Sequence, residues 1–276
     1  RMGEEIAQGA VEDLDISSKA FQEKMRRMQF AQLPINSFIQ LTDARGYDQL
    51  PISSDPALMS AIEQAQDEYE DDEAVRELAV KILARFRNRN SVEALSQIAL
   101  YDLSSNLRAK ATSILTEFDH ESVFETILLA CADPTREVRA AAARGLFRLS
   151  FDRAEAWKRI IGTNDKFRMS HATRAATESG ILLKSLDRLL HDDMKIAYEA
   201  FVLMALAIKA DEAEPLYDVL VNSPDERIKL GLLHVFSVVD DPQSVERLSR
   251  LIVPSMSEDV SAKFREIVEA SALQHA

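Results

Sequence analysis

Turn-forming residues are scarce in this chain, which has only 7 glycines and 8 prolines among 276 residues. A sandwich or barrel of that length needs many more to punctuate its strands, so an all-β architecture is excluded. The single cysteine, Cys131, rules out an intramolecular disulfide. Because it lies in the apolar run 127–132, it reads as a small buried hydrophobe rather than a reactive thiol. Long hydrophobic runs are missing too. The longest, 200–208, falls well short of the roughly 20 residues a membrane-spanning helix requires. Cations are outnumbered, with 33 Lys plus Arg against 46 Asp plus Glu and a formal net charge of -13. Long-range repulsion therefore disfavours a generic nucleic-acid or anionic-membrane surface, and nucleic acid is not the expected partner.

Chemistry-bearing constellations are absent as well. The histidines His120, His171, His191, His234 and His275 never pair at helical ligand spacing, and no Cys-x-x-Cys occurs. His191 beside Asp192 and Asp193 is the most metal-like cluster, yet Asp193 reads more simply as an N-cap for the helix that follows. The glycines are isolated from one another, so there is no phosphate-cradling loop, and no Gly-x-Ser-x-Gly elbow appears. No catalytic, metal or cofactor site is expected. With one thiol and no spanning run, the expected location is cytoplasmic. Since the chain starts at Arg1 without a signal-peptide pattern, a soluble piece of a larger or membrane-anchored protein is the other expectation.

Hydrophobic residues make up 46% and charged residues 29%, a balance that sustains a buried core in a soluble chain. Alanine, leucine, glutamate and arginine fill long windows, and these residues lose little side-chain freedom in a helix. Self-similarity then appears at a period of about 30 residues. Segments 90–118, 119–150, 211–239 and 240–271 each read as helix, polar turn, helix. Segments 152–180 and 181–210 have the same length with weaker turns, and 55–87 opens the series. A second register mark recurs in the turns, where an acid or hydroxyl precedes a basic residue by six positions. The pairs are Glu70 and Arg76, Asp102 and Arg108, Asp133 and Arg139, Ser223 and Lys229, and Ser257 and Lys263.

The Asp133-Pro134 turn, followed by Val138, Arg139 and the alanine run 140–143, resembles the HEAT-repeat family, and the similarity covers most of residues 70–271. What that resemblance implies is an all-α, right-handed α-α superhelix, a solenoid of about seven helix pairs over residues 55–276. It also implies a structural ladder of turn Asp to neighbouring helix Arg, built from Asp102, Arg108, Asp133 and Arg139. The middle units depart from the pattern, because the position six after Asp165 is His171 and six after Asp193 is Glu199. A break in curvature or a loosened ladder is expected there.

Helical periodicity supports the same architecture. Val138, Ala142, Gly145, Leu146 and Leu149 form one apolar stripe, and Ala141, Ala142 and Gly145 are small enough to admit a close neighbour. Pro134 suits a first helical turn. The apolar stretch 194–208 is expected to lie wholly inside the stack, and Trp157 to be core. Residues 1–54 read as an N-terminal extension with an amphipathic capping helix over 17–30 and a crossing loop.

Opposite the apolar stripe, Arg136, Arg144 and Arg148 fall at i, i+8 and i+12, with Phe147 alongside. In HEAT-like stacks the second helix of each pair lines the concave face. The stripe is therefore either a surface for acidic side chains of a partner, engaged by bidentate hydrogen bonds, or a set of solvated arginines balancing Glu137 and its neighbours. On that register Lys110 with Ser113 would flank the stripe on one side and Arg174 on the other. The expectation is a non-catalytic scaffold holding a partner protein or peptide of acidic character in the concave groove. Two alternatives rest on resemblance of fold, namely nucleic-acid work, as in DNA glycosylases similar to HEAT arrays, and tetrapyrrole handling, as in phycobilin lyases.

Overall fold

Capping side chains decide where the helices begin. In a computed structural model, which describes residues 41, 44–66, 69–251 and 256–274, aspartate carboxylates accept the first free backbone N–H groups of one helix after another. Asp55, Asp72, Asp152, Asp165, Asp193, Asp225 and Asp241 all do so, and Asn88 and Ser104 do the same elsewhere. A carboxylate at this end also meets the positive pole of the helix dipole. Helix ends explain the scarcity of glycine. Asp119, Asn164, Asp211 and Asp240 hold the left-handed conformation usually left to glycine, which short polar side chains tolerate. Much of the acid surplus is thus structural.

The described residues form fourteen α-helices and no strand. In chain order they are α1 (Pro56–Gln64), α2 (Glu73–Leu83), α3 (Arg89–Tyr101), α4 (Ser105–Phe118), α5 (Phe124–Ala130), α6 (Arg136–Arg148) and α7 (Arg153–Gly162). Then follow α8 (Lys166–Glu178), α9 (Ile181–Lys184), α10 (Met194–Lys209), α11 (Glu214–Asn222), α12 (Glu226–Val239), α13 (Pro242–Ser249) and α14 (Glu258–Gln274). They make seven successive pairs, of which the fifth is degenerate: α9 has four residues and is followed by a 3-10 turn, Asp187–Leu190. The fold is an α-solenoid, and its buried side chains form one continuous cluster from Leu41 to Ile267. The capping helix expected at 17–30 lies outside the described residues.

Regular stacking runs through the first three pairs. First helices α1, α3 and α5 pack in one row and second helices α2, α4 and α6 in another. Gly145 explains how closely α6 approaches α4. A Cβ placed there would lie 2.5 Å from Thr116 Oγ1 and 3.3 Å from Ile127, so any larger residue would force Thr116 to shift.

The turn arginines tie these pairs together. Arg76 donates to the carbonyls of Glu70 and Asp71 in its own turn (2.8 and 3.1 Å) and reaches forward to the Asp102 carboxylate at 3.3 Å. Arg108 repeats the pattern one pair later, donating to the Asp102 and Leu103 carbonyls at 2.7 and 3.2 Å and to Asp133 at 2.8 Å. Arg139 binds the carbonyls of Asp133 and Pro134, each at 2.7 Å. Each guanidinium therefore satisfies two carbonyls of its own turn, and those of Arg76 and Arg108 also take the carboxylate of the next pair, a use of the fixed fork that lysine's point charge could not reproduce. Among the described residues the later marks carry no such bond. Ser223 and Ser257 accept from backbone N–H groups of their own turns, and Lys263 pairs with Glu266.

After α6 the register shifts. Helix α8 makes the closer backbone approach to α5, while the backbone of α7 lies mainly along α10. Arg168, at the start of α8, explains the change through a buried bidentate pair with Glu125 of α5 at 2.8 and 2.7 Å. Glu199 takes Arg153 and Arg188 instead of a ladder partner. Trp157 is buried edge-to-face on Phe124 with centroids 4.9 Å apart, joining α7 to α5.

Two expectations need correction. The stretch 194–208 is buried from Ala200 onward, apart from the partly buried Phe201, whereas Met194 and Tyr198 in the first turns of α10 are 79% and 44% exposed. Pro134 precedes the helix rather than opening it, since Asp133 Oδ1 accepts the Thr135 N–H at 2.7 Å and delays the first helical residue to Arg136.

Candidate functional site

The second-helix row α2, α4 and α6 encloses an open groove of about 450 Å³. Its floor is apolar, from Val80, Ala109, Ile114 and Ala141, and its walls carry Glu77, Lys81, Asn106, Lys110, Ser113, Glu137 and Arg144. Three cations there face two carboxylates. Glu77 is held by Lys110 and Lys81, each at 2.7 Å, and these contacts, Lys110's foremost, lower its carboxyl to about 2. Glu73 is lowered likewise by hydrogen bonds from Asn106 (3.1 Å) and Ser104 (2.8 Å).

The structure brings Lys110, Ser113 and Arg144 into this one groove. Among the described residues Arg136, Arg144 and Arg148 are exposed and have no ion-pair partner, and Phe147 beside them is 63% exposed. Lys110 is already engaged by Glu77. Arg174 lies elsewhere, on α8, where it pairs with Glu212 at 2.7 Å. The register shift that carries α8 onto α5 removes it from the α6 face. Besides Glu137, the groove walls hold Glu77, Lys81 and Asn106, which the sequence did not single out; the signal was available, because these positions recur on the same face of second helices one repeat apart.

The basic residues Arg87 and Arg89, at the α2–α3 junction, serve structure. Arg87 lies over the Phe118 ring at 5.7 Å, and Arg89 over Tyr47 at 5.2 Å while donating to the Tyr47 and Leu50 carbonyls. His191 Nδ1 accepts the Asp193 N–H at 3.0 Å, which makes it a turn cap. Among the described residues no cluster could hold a metal ion, and no helix is long and apolar enough to cross a membrane. Burial pushes the Cys131 thiol up to about 12.

A face built from the second helices of three stacked pairs, tied by buried arginines, defines an α-solenoid with an open groove. Residues 56–146, which take in the pairs α1 to α6 almost to the end of α6, match the family model for HEAT repeats. The match ends in α6, where the regular stacking also ends. No curated protein matches the chain. HEAT repeats commonly act as protein-interaction scaffolds and are generally non-catalytic.

Proposed function

We propose that the chain is a non-catalytic scaffold that seats a segment of a partner protein, carrying acidic side chains, in the α2–α4–α6 groove. The observation that carries this reading is Arg144, which stands in the wall of an apolar-floored groove with no ion-pair partner among the described residues. An unpaired guanidinium is suited to bidentate capture of a carboxylate. Arg148 follows one turn later on α6, and Phe147 offers an aromatic contact of the kind that anchors interfaces. Lys110 contributes less, because a partner carboxylate must compete with Glu77.

The test is binding to arrays of acidic peptides. Arg144→Glu with Arg148→Glu is expected to weaken the selected peptide at least tenfold. Ser113→Trp, placed at an exposed position of the groove wall, is expected to block it. Binding unchanged by both would remove the groove from the reading.

A further inference from the structure

A second groove, of about 400 Å³, opens on the other side of the register shift between α9, the 3-10 turn Asp187–Leu190, α11 and the start of α12. Leu183, Leu186, Pro215, Val219 and Ile228 line it, and Leu183 is 46% exposed. The charged side chains in its lining are Asp187 and Asp218, both exposed and without an ion-pair or hydrogen-bond partner among the described residues. No cation lines it. The groove exists because the fifth pair is degenerate: with α9 reduced to four residues, α11 lacks a full first helix to pack against.

We infer that this groove docks a basic amphipathic segment of another protein, its apolar side chains entering between Leu183, Val219 and Ile228 while lysine or arginine side chains meet Asp187 and Asp218. The charge argument is specific to this face. The α2–α4–α6 groove has more cations than carboxylates, whereas this one has carboxylates only, and the chain's net charge of -13 adds a long-range field that draws in cationic segments. An apolar floor with charged flanks is the arrangement that receives one face of a helix. The inference is independent of the partner proposed above.

The experiment uses the full chain and two synthetic helical peptides, one of leucine and lysine at helical spacing and one with glutamate in place of every lysine, read by fluorescence anisotropy. The lysine peptide is expected to bind and the glutamate peptide not. Asp187→Lys with Asp218→Lys is expected to weaken the lysine peptide at least tenfold, and Leu183→Ser to weaken it independently of charge. Reversing Glu63 and Glu117, exposed acids on α1 and α4, is expected to change it less than twofold. Circular dichroism confirms that each variant is folded. Equal binding of both peptides, no binding, or the same loss in the remote control overturns the inference. So does concentration-dependent self-association abolished by the Asp187 and Asp218 changes, which would make a second copy the occupant.

Discussion

Arg108 is the residue on which the ordered part of the stack turns. Its guanidinium is 1% exposed and satisfies two carbonyls, the Asp133 carboxylate and the Thr135 hydroxyl. Arg108→Met keeps the stem but leaves Asp133 without its buried partner, so a loss of about 3–5 kcal/mol is expected in urea denaturation. Arg139 makes only the carbonyl bonds of its own turn among the described residues, and Arg139→Met is expected to cost about 1–2 kcal/mol. Two glycines give opposite signs. Gly145→Ala gains helix propensity of about 1 kcal/mol, but overpacking against Thr116 costs about 1–3 kcal/mol, and a net loss is expected. Gly162 has nothing within 4 Å of an added Cβ, so Gly162→Ala is expected to raise stability by about 0.5–1 kcal/mol. Thermal melts of the two variants check the contrast.

Between elements, the pH dependence follows from Glu77, which links α2 to α4 through Lys110. Its folded carboxyl lies at about 2 against an ordinary value of 4.5. A depressed carboxyl contributes stability that is fully present above pH 4.5 and is lost as pH falls from there toward about 2. Because the pair is at the surface, added salt is expected to shrink that contribution, which Glu77→Gln melts at low and high ionic strength will show. The α5–α8 contact behaves differently. Arg168 and Glu125 are both buried, so a double-mutant cycle between them should give a coupling insensitive to salt. The two ladder pairs, Arg76–Asp102 and Arg108–Asp133, were legible in sequence because both partners sit at fixed offsets in recurrent turns. The Arg168–Glu125 pair was not, since its members are 43 positions apart and only packing places α8 over α5.

For the whole molecule, the continuous core predicts that the described helices unfold together despite the register shift. The single tryptophan, Trp157, lies at that junction against Phe124, so its fluorescence reports on both sides. In urea, the fluorescence and far-ultraviolet circular dichroism transitions are expected to coincide. A fluorescence transition separated from the helical one would mean that α1 to α6 and the later helices hold separate cores. Solenoid stability is a sum of repeat and interface contributions, and the α7–α10 and α5–α8 contacts must then substitute for the missing ladder.

The sequence by itself determined the helix pairs, their period and the Arg108 ladder, because helical periodicity, aspartate caps and turn offsets are local properties of the chain. It also determined that Gly145 faces a close neighbour and that Trp157 and Cys131 are core. Only the tertiary structure decided that α8 comes closest to α5, that Arg174 and Lys110 are engaged while Arg144 has no ion-pair partner among the described residues, and that the degenerate fifth pair leaves an acidic groove. Those outcomes depend on which distant side chains meet after the helices stack, and no local pattern encodes that choice.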